Sequence, residues 1–280
     1  SNASAAELKR LCEKGIFTIE ERLAGAPSDE LLRRPAATLS EAQAKALSDV
    51  RTGFEEKETV LLQGVTASGK TELYMELMQE AITRGEQVLY LLPEIALTTQ
   101  IIGRLRARFG ERVAVFHSRL SQRERTELWL RMLREPEAHP VVVGARSALF
   151  LPFHRLGLVI VDEEHDPSYK QHDPAPRYNA RDMAVVVARL HGAKVLLGSA
   201  TPSMESLYNV RTGKFGFAKL TVRFGDAALP TIVKVDLADA QRRKQMRGNF
   251  SQTLINGIEH ALARKEQVII FQNRRGYVPA

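Results

Sequence analysis

Three short runs in this chain carry the residue types that phosphate chemistry needs. The first is Gly64-Val65-Thr66-Ala67-Ser68-Gly69-Lys70-Thr71, a Gly-x-x-x-x-Gly-Lys-Thr pattern entered from apolar Leu61-Leu62. Glycines let backbone amides approach phosphate oxygens, and a helix opening at the lysine places partial positive charge beneath the same anion. Lys70 suits the β/γ-phosphates and Thr71 offers a hydroxyl to Mg²⁺. All eight residues are expected to bind nucleotide. The second run is Val161-Asp162-Glu163-Glu164-His165. An Asp at a strand end can hold Mg²⁺, and the Glu after it can act as general base on water. Lys70, Asp162, Glu163 and His165 are therefore the expected catalytic set, with Thr71 and Asp162 as Mg²⁺ ligands. The third run is Gly198-Ser199-Ala200-Thr201-Pro202. Ser199 and Thr201 read either as hydroxyls that couple to the acidic cluster or as N-cap chemistry for the next helix.

These runs need a scaffold that brings them together, and the hydrophobic pattern supplies one. From Thr59 onward, strand and helix alternate. Strands are expected at Val60–Gln63, Gln87–Leu92, Val113–Phe116, Val141–Val143, Leu156–Val161 and Lys194–Gly198. Helices are expected at 41–50, 70–83, 98–109, 122–133, 181–191 and 204–210. Continuous apolar runs such as Leu158-Val159-Ile160-Val161 indicate strands buried on both faces of a parallel sheet. The fold class is α/β, a doubly wound parallel sheet around a P-loop. After about Leu229 the pattern restarts: strand at 231–236, helix at 251–264, strand at 267–271.

The chain has 280 residues, 44% of them apolar, and a net charge of +7. That charge favours a polyanionic partner. The basic clusters are Arg104/Arg106/Arg108, Arg242 to Lys244 and Arg274-Arg275, each of which also reads as a solvated face. No apolar run approaches the roughly 18 residues of a membrane span. The single cysteine, Cys12, excludes an internal disulfide and a cysteine-based zinc site, and a reducing cytoplasm is the simplest compartment. A P-loop kinase would need an acceptor site and lid, and a guanine switch an Asn-Lys-x-Asp; neither is found.

A P-loop, an Asp-Glu-x-His box and Ser-Ala-Thr, in that order, resemble the first RecA-like motor lobe of a superfamily 2 helicase. Four further segments narrow the resemblance: Leu92 to Thr98, Gly144 to Phe150, Asp162 to Asp182, and Phe271-Gln272-Asn273-Arg274-Arg275-Gly276-Tyr277. They are similar to the primosomal protein N′ family, the bacterial replication-restart DNA helicases, over roughly residues 39–280. Within residues 1–38, Ser1-Asn2-Ala3 reads as a tag remnant, and the resemblance implies that the rest is the tail of an N-terminal, winged-helix-like DNA-binding region. It implies helicase lobe 1 at 39–228 and the truncated start of a second RecA-like lobe at 229–280. It places Gln43 as an adenine reader. The segment Asp166 to Tyr178 combines aromatic rings with cations, which suits unpaired bases and phosphates. With the resemblance, this makes Tyr169, Lys170, Arg177 and Tyr178 candidate DNA contacts. Pro93, Thr98, Arg146 and Ser147 are further candidates, with turn and cap chemistry as the alternative.

The resemblance implies an ATP- and Mg²⁺-dependent, 3′–5′ DNA helicase or translocase of replication restart. Its partners would be single-stranded and forked DNA, single-strand-binding protein and primosome components, with no membrane, in a bacterial cytoplasm associated with the nucleoid. Another superfamily 2 translocase, an RNA helicase, or a nucleotide and single-strand DNA binding module without turnover are the alternatives. The family's zinc-binding cysteines and its γ-phosphate arginines would lie past Ala280. The chain as it stands is thus expected to bind nucleotide, hydrolyse it poorly and unwind nothing.

Overall fold

Val60, Leu61 and Leu62 enter the P-loop as a strand whose successive side chains are buried on opposite faces, and this pattern repeats through the sheet. The computed structural model describes residues 38–222 and 231–271. The expected tail at 1–37, the 228/229 boundary and the segment from Gln272 to Tyr277 lie outside them. The chain divides into two compact units, one up to Asp226 and one from Ala227 onward.

In the first unit the order is α1 (Glu41–Glu56), β1 (Thr59–Gly64), α2 (Lys70–Thr83), β2 (Gln87–Leu91), α3 (Thr99–Phe109), β3 (Val113–Phe116) and α4 (Gln122–Arg134). It continues with β4 (Val141–Gly144), β5 (Leu156–Asp162), α5 (Ala180–His191), β6 (Lys194–Ser199), α6 (Met204–Arg211) and β7 (Gly216–Leu220). Seven strands form one sheet in the order β3-β4-β2-β5-β6-β1-β7. Every pairing is parallel. One face packs Val60, Leu62, Tyr90 and Ile160 against helices α1, α2 and α3. The other packs Leu61, Leu89, Val159 and Leu197 against Met132 of α4 and the alanine stripe Ala180, Ala184, Ala188 of α5. This two-sided burial is the doubly wound, RecA-like architecture expected from the sequence.

Strand β7 was not anticipated. Its signal is a five-residue alternation in which Phe217 and Lys219 are exposed while Ala218 and Leu220 are buried. It closes the sheet edge beside β1. Arg104 and Arg108, expected to attract a polyanion, instead pair with Glu72 and Glu76 of the neighbouring helix α2. Arg242 and Arg243 face Asp239. Much of the apparent basic clustering is thus neutralised locally.

The second unit contains α7 (Leu237–Arg242), an antiparallel pair β8 (Met246–Arg247) and β9 (Phe250–Ser251), and α8 (Gln252–Ala263). The helix expected at 251–264 is present, but the strands expected at 231–236 and 267–271 are not. A strand needs a ladder partner, and neither segment finds one among the described residues. Their apolar side chains still act as a sequence pattern would suggest. Val233, Val235, Val268 and Ile269 line an apolar cavity of about 450 Å³ with Leu254, Ile258 and Ala261 of α8.

His139, between α4 and β4, is buried, and its Nδ1 has no hydrogen-bond partner among the described residues. Burial first, then the charge of Arg131, pushes its pKa below the ordinary histidine value. The unfolded chain therefore takes up a proton near pH ~6.5 that the folded chain resists. The stability this residue contributes is present above that pH and is lost as pH falls through the lowered folded value. Urea midpoints taken at about pH 7.5 and about pH 5.5 should fall further for wild type than for His139→Gln. Equal falls would remove His139 from the account.

Candidate nucleotide site and strand-binding face

Neighbouring strand tips assemble the site. In the sheet, β6 lies between β5 and β1, with Asp162 opposite Gly198 and Gln63 opposite Ser199. The P-loop, the acidic box and the Ser-Ala-Thr run therefore leave the same sheet edge side by side. Thr66 to Thr71, Asp162 and Glu163 line one cavity of about 410 Å³.

The loop has the form of an anion cradle. Ala67 (φ 61) and Gly69 (φ 81) turn the backbone through the left-handed region. Gly69 is the N-cap of α2 and offers no side-chain cap. Among the described residues, the amides of Ala67, Gly69, Lys70 and Thr71 donate to no protein acceptor. The buried Ser68 Oγ likewise has no partner among them. A Cβ on Gly64 would come within 2.8 Å of Lys70 Cγ, so only glycine leaves the lysine its course. Lys70 Nζ donates to the Gly64 carbonyl at 2.9 Å and lies 3.8 Å from Glu163 Oε1. Unpaired amides, an unpartnered hydroxyl and a buried ammonium fit a polyphosphate. The hydroxyl of Thr71 and the carboxylate of Asp162, hard oxygen donors on the same cavity, fit Mg²⁺.

Asp162 is held from beneath by two tyrosines. Tyr74, one turn along α2 from Lys70, donates to Oδ1 at 2.9 Å, and Tyr90 of β2 donates to Oδ2 at 3.3 Å. The Glu163 amide also donates to Oδ1, at 3.1 Å. The two rings meet edge to face, 5.8 Å apart. Burial, then the Asp162 charge, pushes both phenol pKa values well above 10.0, so both remain donors at neutral pH. Burial also raises the pKa of Asp162, with Glu163 adding to the shift and the Tyr74 bond and Lys70 opposing it. Gly198 makes this contact possible, because a Cβ there would lie 1.8 Å from Tyr74 Oη.

His165 meets both expected coupling hydroxyls. Its Nδ1 is 2.8 Å from Ser199 Oγ and its Nε2 is 3.4 Å from Thr201 Oγ1. The same ring lies 3.7 Å from Glu163 Oε2. Neither hydroxyl caps α6; Ser203 does, accepting from the Ser206 amide.

Four expectations change. Gln43 lines the cavity, yet it is 2% exposed and both carboxamide ends are engaged. Its Oε1 accepts from the Ser40 amide at 2.9 Å in a capping box, and its Nε2 donates to the Ser68 carbonyl at 3.1 Å. It ties α1 to the P-loop instead of presenting a free edge to a base. Tyr169 cannot stack on a base. It is buried at 1% exposure, with its hydroxyl on the Leu91 and Asp162 carbonyls at 3.1 and 2.6 Å. Pro93 is buried as well, so no ligand reaches its ring. Arg146 commits Nη1 to the Ser168 and Lys170 carbonyls, at 3.2 and 3.4 Å, and so anchors the loop after the acidic box.

The remaining surface candidates cluster around that loop. It is closed where Lys170 bridges Asn179 and the Gln171 amide donates to the Tyr178 carbonyl at 2.8 Å. Arg177 and Ser147 are exposed, and Lys170 and Tyr178 are half-buried. Tyr178 packs edge-on against Phe150, which is 54% exposed. Phe150 was not singled out from sequence; it ends the turn Arg146-Ser147-Ala148-Leu149-Phe150, and type alone does not separate it from the buried Ala148 and Leu149. Thr98 is exposed and caps α3, accepting from the Ile101 amide at 3.4 Å. Arg104 and Thr38, also not singled out for this role, line the nucleotide cavity.

Residues 40–210 match the family model for DEAD/DEAH box helicases. The chain is similar to the replication restart protein PriA of Bacillus subtilis (strain 168), 37% identical over 282 residues, covering 99% of this chain and 34% of that protein. It is also similar to the replication restart protein PriA of Rickettsia felis, 43% identical over 241 residues, covering 86% of this chain and 36% of that protein. The chain thus spans about a third of the length of these relatives. Among solved structures, RecG bound to a three-way DNA junction superposes with a TM-score of 0.50 at 23% identity, covering 79% of this chain and 29% of that one. The DUF1998 helicase MrfA superposes with a TM-score of 0.50 at 18% identity, covering 90% and 39%. Both support the fold.

Gln43→Ala should lower stability by about 1–2 kcal/mol, through the lost cap and the unsatisfied Ser68 carbonyl. It should weaken ATP and GTP binding by the same factor, because the loop and not the base is affected. Selective loss of ATP affinity in a paired titration would restore the base-reading role.

Proposed function

Since the chain belongs to the DEAD/DEAH box helicase family, we propose that it is the nucleotide-binding lobe of an ATP-dependent DNA motor of the replication-restart kind. The observation that carries this reading is the single cavity shared by Lys70, Thr71, Asp162 and Glu163. In the proposed mechanism the loop amides and Lys70 hold the β- and γ-phosphates of ATP. Thr71 and Asp162 hold Mg²⁺, which supplies Lewis-acid stabilisation of the phosphate oxygens. Glu163 accepts a proton from the attacking water. The Lys70 ammonium lies 3.8 Å from this carboxylate, so the phosphate-binding group and the base face the same point in the cavity. His165 links the movement of this carboxylate to Ser199 and Thr201.

The strand-binding face in this reading is Phe150 and Tyr178 for bases, with Lys170 and Arg177 for phosphates. An exposed ring, Phe150, and an exposed cation, Arg177, beside the half-buried Tyr178 and Lys170 support single-stranded nucleic acid. The preference for DNA, the 3′–5′ direction and the preference for forks rest on similarity to the replication restart proteins. So do lobe limits of 39–228 and 229–280, single-strand-binding protein and primosome components as partners, zinc elsewhere in a longer protein, and a place at the bacterial nucleoid. No helix among the described residues is long and apolar enough to cross a membrane.

Lys70→Ala should weaken Mg-ATP binding about tenfold to a hundredfold, the loss of a charge-assisted hydrogen bond to phosphate. A titration with a fluorescent ATP analogue, repeated with a single-stranded oligonucleotide, checks it; wild-type affinity in the variant would end the nucleotide assignment. On the strand-binding face, Arg177→Ala should flatten the salt dependence of oligonucleotide binding by about 0.7 in log–log slope. Phe150→Ala should cost about 1–3 kcal/mol without changing that slope. If both variants bind like wild type across a salt series, this face is not where the strand lies.

A further inference from the structure

Glu164 stands directly after the proposed base and has no part in the proposed mechanism. Its side chain is fully covered, and it is one of the most heavily bonded groups in the first unit. Oε1 accepts from the Ser203 amide at 2.6 Å. Oε2 accepts from Ser203 Oγ at 3.0 Å, Ser206 Oγ at 2.9 Å and Arg181 Nη1 at 3.2 Å. Arg181 Nη1 also donates to Ser203 Oγ at 2.7 Å, and Nε donates to Asp182 at 2.8 Å. The pair therefore pins the acidic box to the first turns of both α5 and α6. Its own amide donates to the Gly198 carbonyl at 3.0 Å, fastening it to the tip of β6 as well.

The residue that needs this fastening is Glu163. Its φ is +47, left-handed for a side chain that meets a steric penalty there. Such backbone persists only where its surroundings over-determine it. The Asp166 amide holds the Glu163 carbonyl on one side, at 2.8 Å, and the bonded Glu164 fixes the chain immediately after it. A buried ion pair is a poor source of net stability, because desolvating two charges offsets their attraction. Its use here is geometric.

We propose that Glu164 and Arg181 form a positioning pair that holds the Glu163 carboxylate in its hydrolytic orientation. The inference rests on the assignment of Glu163 as base. It makes Glu164, the third acid of Asp-Glu-Glu-His, a structural determinant of rate, not of nucleotide affinity. Asn179, which ends the loop carrying Tyr178, caps the helix that presents Arg181, so the same pair joins that loop to the base.

The test uses the whole chain under single-turnover conditions, with protein in excess over radiolabelled ATP and Mg²⁺ so that slow hydrolysis registers. Glu164→Gln keeps the shape but turns a donor toward Arg181. Its hydrolysis rate should fall about tenfold or more while the dissociation constant for a fluorescent ATP analogue stays within about twofold. Arg181→Met should do the same, and the double variant should be no worse than either single, the signature of one unit. Arg181→Lys, which keeps the charge but not the fork, should recover part of the rate. Urea midpoints exclude a loss due to unfolding; should Glu164→Gln fail to fold, Arg181→Lys carries the test, and a full wild-type rate in it overturns the pair. Wild-type hydrolysis by Glu164→Gln, or equal loss of rate and affinity, also overturns it. If Glu163→Gln releases phosphate as fast as wild type, the assignment of Glu163 as base fails, and this inference fails with it.

Discussion

Parallel alignment of β5, β6 and β1 is the constraint that creates the site. All three strands run the same way, so their C-terminal tips emerge at one edge, and their register sets Asp162 beside Gly198 and Gln63 beside Ser199. Three loops from distant parts of the sequence then have no choice but to meet. The hydrophobic pattern enforces this arrangement. Each strand buries alternate residues on two faces, so a slip of one residue would exchange the two faces' side chains. Chemistry at the edge is thus held by packing in the middle.

Beneath the edge lies a second layer, polar but closed to solvent. Tyr74 and Tyr90 stand under Asp162, and Glu164 and Arg181 stand under the backbone of Glu163. Each group in this layer is satisfied by another protein group, as buried polar atoms must be. Ser68 Oγ and the amides of Ala67, Gly69, Lys70 and Thr71 differ, because among the described residues they lack such partners. The contrast separates scaffold from binding surface. Where the protein satisfies its own polar groups it holds position, and where it leaves them unpaired beside a cavity it offers them to a ligand.

How much of this was legible in the sequence depended on how local the deciding interaction was. The P-loop was readable because its constraint is internal: glycine spacing, a strand before it, a helix after it. The two-sided strands were readable for the same reason. Tyr169 was not, because whether a ring in a polar segment turns outward depends on acceptors far along the chain; here the Leu91 carbonyl draws it inward. The tie from Gln43 to the P-loop was not legible because its second partner, the Ser68 carbonyl, lies 25 positions away. Glu164 looked like a spacer because burial of a charge is visible only once its partners are in place. The strands expected at 231–236 and 267–271 carried the right composition, but a strand is defined by a neighbour, which composition does not supply.

Arg146 shows why residue type alone settles so little. An arginine after a buried strand suggests phosphate contact, and Phe150, Lys170 and Arg177 of the same two loops keep that suggestion alive. Yet Nη1 is committed to two carbonyls of the loop after the acidic box. A guanidinium has five N–H donors, so the commitment leaves others free. The same side chain can hold the loop in shape and still present charge at its surface. A ligand that competed for those donors would loosen the loop, whose two ends are tied to the box through Asp166 and to α5 through Asn179. The loop and the orientation of Glu163 thus stand in mechanical series, with Arg146 at one end and the Arg181–Glu164 pair at the other.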